Sequence, residues 1–114
     1  MRIDGPALLA RIYIGESDRW DGRPLFEAIV EKLRASGIAG ATVLRGIEGY
    51  GRAARVHTAQ ILRLSEDLPI LIEIVDREDR LRAILPEIDA MVDGGLITLE
   101  HVEVIAYRSP EPAD

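Results

Sequence analysis

Apolar and polar residues alternate with period two over Leu8–Ile14, setting Leu8, Ala10, Ile12 and Ile14 on one side and Leu9, Arg11 and Tyr13 on the other. This pattern predicts a strand. A polar stretch, Gly15–Gly22, comes next and leads to a helix that Asp21 or a neighbour caps and whose first turn holds Pro24. Leu25, Phe26, Ile29, Val30 and Leu33 recur at helical spacing, and Gly37 stands where a left-handed residue closes the helix. Residues 41–51, ATVLRGIEGYG, read as a second strand that Gly46, Gly49 and Gly51 bend or bulge. Ile70–Val75 alternates again, introduced by Pro69 at a position that needs no ladder donor. Asp76, with Asp79 three residues on, predicts a capped second helix bearing Leu81, Ile84, Leu85, Ile88, Met91 and Val92, with a kink or restart at Pro86. Gly94-Gly95 ends that helix, Ile97–Tyr107 reads as the last strand, and residues 108–114 as a tail.

Strand, helix, strand, strand, helix, strand is the order of the ferredoxin-like α+β fold, βαββαβ. Right-handed crossovers place both helices on one face of a four-stranded antiparallel sheet and leave the other face open. The residues assigned to that open face are mixed: Leu9, Arg11 and Tyr13; Leu71, Glu73 and Val75; His101, Glu103, Ile105 and Tyr107. Such a face predicts an oligomer joined sheet to sheet, with Arg11 paired to Glu73 or Glu103; the alternative is a monomer with a half-polar, wet sheet.

The chain has 114 residues, 47% of them apolar, which suits one domain, 1–114, with a core of its own. No cysteine is present, so disulfide frameworks, thiol nucleophiles and cysteine zinc sites are excluded, and a reducing cytoplasm fits. A formal net charge of −6 repels nucleic acid and anionic membrane, and no run is long and apolar enough to be a leader or a span. We expect neither nucleic-acid binding nor membrane insertion. The central strands also lack the aromatic platform of an RNA-recognition module.

Against this acidic background the connection 52–67 is cationic, with Arg52, Arg55, His57 and Arg63 following Arg45, and it exceeds the usual length of about 4–6 residues. It reads either as a loop that grasps a phosphate, a carboxylate or an acidic partner, or as a solvated loop partly ordered by Ile61, Leu62 and Leu64. The glycines at 46, 49 and 51 do not form a dinucleotide fingerprint but permit close backbone approach to a ligand. No serine has a histidine placed beside it, so a catalytic triad finds no support, and Glu48 as a cleft base has no paired nucleophile. His101 and Glu103 share a strand face, a metal-ligand spacing if another chain supplies a third group, with His57 a further candidate.

The runs Gly22-Arg23-Pro24-Leu25-Phe26, GIAGATVLRGIEGYG over 37–51, and Leu68-Pro69-Ile70 to Asp76 closely resemble the bacterial and archaeal family of domain of unknown function 190, over about Leu8–Val104. Members of that family resemble the PII signalling proteins. The resemblance implies a PII-like, non-enzymatic homotrimer with clefts between neighbouring subunits. A small anionic ligand such as an adenine nucleotide would sit there and bias the 52–67 loop toward or away from a membrane-protein or enzyme partner. No cofactor is implied. The residues assigned to the ligand are Arg45, Gly46, Gly49, Gly51, Arg52, Arg55 and, from its place at the end of the last strand, Arg108. The alternative is a metal-responsive trimer resembling the divalent-cation tolerance proteins.

Overall fold

In the computed structural model, which describes residues 2–51 and 67–110, the elements run β1 (Arg2–Gly15), β2 (Arg19–Trp20), β3 (Arg23–Pro24), α1 (Leu25–Ala35), β4 (Thr42–Arg45), β5 (Pro69–Asp76), α2 (Glu78–Met91) and β6 (Leu96–Arg108). The four long-range strands form one antiparallel sheet in the order β4-β5-β1-β6, the ferredoxin-like arrangement, while β2 and β3 make a separate small hairpin. Alternate side chains of a strand share a face. Leu8, Ala10, Ile12 and Ile14 of β1 and Ile70, Ile72 and Ile74 of β5 therefore point together and are buried against Leu25, Ala28, Ile29 and Leu33 of α1 and Leu81, Ile84, Ile88 and Met91 of α2. Both helices lie on one face of the sheet.

Local chemistry departs from the sequence expectations at several points. β1 begins at Arg2 rather than Leu8, because Gly5, at φ +81°, absorbs a register shift against β6 and lets Pro6 sit within the strand. Asp21 does not cap α1. With φ values of +51° and +80°, Asp21 and Gly22 form the tight turn of the β2–β3 hairpin, and Pro24 stands before the helix as its N-cap. The C-terminus of α1 behaves as expected: Gly37 is left-handed, its N–H reaches the Arg34 carbonyl, and the Ile38 N–H reaches that of Leu33.

β4 stops at Arg45 instead of running to Gly51. The Gly46 N–H still reaches the Pro69 carbonyl at 2.7 Å, but Pro69 has no N–H to return, and the ladder ends. α2 is continuous through Pro86, with no restart. Its N-cap is Arg77, not Asp76. Asp76 is fully buried and has another role: its carboxylate accepts the N–H of Ala39 at 2.9 Å and that of Arg77 at 2.7 Å, and stands 3.3 Å from Nε of Arg80. Arg80 also donates to the Gly37 carbonyl, and the Tyr107 hydroxyl donates to that of Ala39 at 3.1 Å. The 37–40 segment is thereby tied to β5, α2 and β6 at once.

The open sheet face carries Leu9, Arg11 and Tyr13 of β1, Leu71, Glu73 and Val75 of β5, and Thr42 and Leu44 of β4, as the registers require. For β6 the expected face is reversed. Ile97 stands opposite the buried Ile12 and His101 opposite the buried Leu8, so His101 belongs to the helix side, and Leu96, Thr98 and Glu100 fill the open face. Arg11 accordingly pairs with Glu73 and Glu100, each at 3.1 Å, and not with Glu103. The Glu73 hydrogen bond leads in holding the Arg11 guanidinium above its ordinary pKa, partly offset by desolvation, with Glu100 adding to the rise.

Candidate functional site

One end of the sheet gathers four chain segments: the end of β1, the start of β5, the start of β6, and residues 49–51 beyond β4. They enclose a cleft of about 640 Å³ lined by Tyr13, Ile14, Gly15, Asp18, Gly49, Tyr50, Gly51, Asp67, Pro69, Gly94, Gly95 and Leu96. Its size falls within the range of small-molecule sites, about 300–1,000 Å³.

Close backbone packing builds the walls. A Cβ at Gly95 would stand 2.4 Å from the Tyr13 carbonyl oxygen, so only glycine lets the α2–β6 turn press on the end of β1. A Cβ at Gly46 would meet Pro69 Cγ at 2.7 Å, and one at Gly49 would meet it at 3.1 Å. These two glycines let the chain after β4 fold over Pro69. Two carboxylates fix the remaining wall. Asp67 accepts the N–H of Ser17 at 2.9 Å and its hydroxyl at 2.8 Å, and Asp18 accepts the N–H of Gly15 at 3.0 Å. The Glu16 N–H donates to the Leu68 carbonyl at 2.8 Å, stitching the β1 end to the β5 start.

Of the residues assigned from sequence, Gly49 and Gly51 line this cleft, and Gly46 supports it from behind. Arg45 lies at its margin with its guanidinium 2.9 Å from Glu16, so its charge is already engaged. Arg52, Arg55 and His57 lie outside the described residues. Arg108 closes the far end of β6, opposite Arg2 and beside a shallow hollow of about 20 Å³; twelve strand steps of about 3.3 Å place it roughly 40 Å from Leu96. A single chain does not bring it to the cleft. His101 has Glu78 as its nearest carboxylate, 3.8 Å away, and the described residues contain no group of three potential metal ligands.

Sequence reasoning misses Asp18, Asp67, Gly94 and Gly95 as lining residues. The double glycine reads only as a helix end, and the carboxylates as loop polarity. The usable signal is positional: all four lie at strand ends that the βαββαβ order brings to the same edge.

The chain matches the DUF190 family model, described as Uncharacterized ACR, over residues 7–104. It is 38% identical to a UPF0166 protein of Aquifex aeolicus over 92% of this chain and 98% of that one. It is 37% identical to a UPF0166 protein of Methanocaldococcus jannaschii over 86% and 91%. Among solved structures, a protein of Thermus thermophilus described as a PII-like signaling protein superposes with a TM-score of 0.64 at 19% identity, covering 90% of this chain and 94% of that one. CPII of Thiomonas intermedia K12, bound to ADP and bicarbonate, superposes with a TM-score of 0.57 at 18% identity, covering 87% and 88%. The chain belongs to the DUF190 family, and its fold is PII-like.

Proposed function

We infer that this chain is the subunit of a PII-like regulatory homotrimer that binds an adenine nucleotide at the cleft and thereby biases the 52–67 loop toward or away from a protein partner. The observation that carries this reading is the placement of the cleft. Gly51 and Asp67, which flank the 52–66 connection, both line it, so a ligand there touches both stems of the loop. CPII, which shares the fold, binds ADP. The described lining supplies glycine backbone, apolar surface and carboxylates but no cation, so we assign the phosphates of a bound nucleotide to Arg52 and Arg55, which follow Gly51 in the sequence. Arg108 joins the site only from a neighbouring subunit. The action is binding and release in the cytoplasm, without catalysis.

The trimer rests on the open face. Leucine, valine and tyrosine side chains surround the Arg11–Glu73–Glu100 pairs, an arrangement suited to burial between like sheets. Calorimetric titration with ADP, ATP and AMP tests the ligand: micromolar binding of at least one is expected, and failure of all three overturns the nucleotide reading. Sedimentation velocity tests the assembly. The parent is expected to run as a trimer and Arg11→Glu, which sets three carboxylates together, as a monomer; a monomeric parent removes the intersubunit seam.

A further inference from the structure

The sheet ends in two open edges. In the order β4-β5-β1-β6, no strand of the described residues lies outside β4 or outside β6. Edge strands that are to stay free are commonly guarded by lysine, proline or an inward-pointing charge. The two edges lack lysine and proline where they stand level with each other. β4 is exposed along all four residues, Thr42-Val43-Leu44-Arg45, and β6 opens with the uncharged run Leu96-Ile97-Thr98-Leu99. Val43 is 37% exposed, Leu44 49%, Leu96 55% and Leu99 37%, so aliphatic side chains in partial contact with water line both edges.

Hydrogen-bond phase shows what such edges fit. Residues two apart on an antiparallel strand direct their N–H and C=O groups to the same side. The Gly46 N–H reaches Pro69, so Thr42 and Leu44 face β5, while Val43 and Arg45 turn their backbone groups outward. The Glu16 N–H reaches Leu68, so even-numbered residues of β1 face β5 and odd-numbered ones face β6. Leu96 and Thr98, opposite Tyr13 and Arg11, therefore face β1, and Ile97 and Leu99 are left with outward groups. Three antiparallel steps separate β4 from β6, so the two edges run in opposite directions. Copies set side by side about an axis along the strands bring β6 of one antiparallel to β4 of the next. Thr42, Glu73, Arg11 and Thr98 make one row across the sheet, and the next two rows end in Val43 with Ile97 and in Leu44 with Leu96. Continued into a second copy, these rows set threonine against threonine, isoleucine against valine and leucine against leucine. The outward backbone groups of Ile97 and Val43 then oppose each other, as a ladder pair requires.

We propose that the seam between copies is this edge-to-edge ladder, Leu96–Thr98 of one copy on Thr42–Leu44 of the next. The proposal rests on the trimer reading above and specifies its contact. Because the two edges differ, the contact is head to tail and closes as a ring, with the open faces turned to its interior. The chain after β4 of one copy then passes beside Gly94 and Gly95 of the other, which line that copy's cleft. Ile47, 94% exposed in the single chain, is brought to the same seam. The cleft is completed only between two copies.

The natural chain has no cysteine, so oxidation of the full chain carrying both Thr42→Cys and Thr98→Cys tests the seam. Across it these positions form a non-hydrogen-bonded pair with Cα atoms about 4.5 Å apart, within disulfide reach. Within one chain they stand three strand spacings apart, roughly 14 Å, well beyond the limit of about 7 Å. The expected result is a covalent trimer on a non-reducing denaturing gel with loss of all free thiol, while either single variant stays uncrosslinked. Thiols that persist in a double variant sedimenting as a trimer overturn the seam and leave the trimer reading standing, as does a single variant that cross-links to itself equally well. A monomeric parent removes the trimer reading and this proposal with it. Val43→Pro supplies a second readout, since proline deletes an outward N–H and spares the bonds to β5. It is expected to lose the trimer in sedimentation and to keep the parent's circular dichroism; a Val43→Pro trimer as resistant to dilution as the parent's overturns the seam even if the double variant does not fold.

Discussion

Replacing Asp76 by alanine removes the one fully buried charged side chain among the described residues, and its cost is set by the groups the carboxylate holds. Two backbone donors, Ala39 N–H at 2.9 Å and Arg77 N–H at 2.7 Å, lose a charged acceptor. Arg80 Nε, 3.3 Å from the carboxylate, is buried and has no hydrogen bond, so the ion pair is its compensation. Breaking a buried pair from one side costs about 3–5 kcal/mol. The Arg80 side chain retains 31% exposure, so its guanidinium partly rehydrates and the lower end applies, about 3 kcal/mol. With a urea m-value of about 1–1.5 kcal/mol/M for a chain of this size, the unfolding midpoint falls by about 2–3 M. Equilibrium unfolding at fixed protein concentration, followed by far-ultraviolet dichroism and by fluorescence of the single tryptophan, Trp20, measures it. The Asp76→Ala, Arg80→Ala double variant is expected to be more stable than the summed single losses predict, by about 1 kcal/mol or more, since each single change strands the other partner. An Asp76→Ala variant within about 1 kcal/mol of the parent would show that the lock on the 37–40 segment is not energetically significant.

Other substitutions probe separate parts of the frame. Gly95→Ala drives a Cβ to 2.4 Å from the Tyr13 carbonyl and is expected to destabilise by about 3 kcal/mol and abolish ligand binding, read by thermal melting and titration. Tyr107→Phe loses only the hydroxyl donated to Ala39 and is expected to cost about 1 kcal/mol in the same unfolding assay. Pro86→Ala restores a missing helix donor while loosening the unfolded chain, so a net gain of about 1 kcal/mol is expected. The hydrogen bond from Arg23 holds the Glu31 carboxyl below its ordinary pKa. Its contribution is present above the unfolded-state value, about 4.3, and is lost as pH falls through the lower folded value. Melting temperatures of Glu31→Gln are therefore expected to fall less steeply than the parent's on acidification below about pH 5.

What is legible in the sequence is whatever a period or a turn residue encodes. The two helices, the cores of β1 and β5, and the left-handed Gly37 come from spacing alone. Period two reports alternation without reporting which phase faces inward, which is why the sequence pattern puts β6 on the wrong side. His101 and Glu103 carry no apolar signal to set the phase, and only pairing of Ile97 with Ile12 fixes it. The candidate site is half legible for a related reason. Gly49 and Gly51 stand out as a motif, but Gly46 and Gly49 already have a packing role over Pro69, and Asp18 and Asp67, which line the cleft, meet only when segments distant in sequence are brought together.

The two ends of the sheet differ in a way that bears on regulation. At one, Asp76, Arg80 and Tyr107 fasten the 37–40 segment through several hydrogen bonds and an ion pair. At the other, the walls of the cleft are held by glycine contacts and by the hydrogen bonds of Asp18 to Gly15 and of Asp67 to Ser17. A ligand shifts an equilibrium only by its differential affinity for the two states, so an element that a ligand is to move must contact it directly. Gly51 and Asp67 meet that condition and the 37–40 segment does not. On the proposed reading, a nucleotide held in the cleft against Gly51 and Asp67 fixes the separation of the two residues that flank the 52–66 connection. A tenfold difference in affinity between stem arrangements then shifts their ratio tenfold. Saturating ADP should accordingly change the rate of protease cleavage within that connection. Cleavage that ADP leaves unchanged while calorimetry shows it bound would separate ligand binding from the switch.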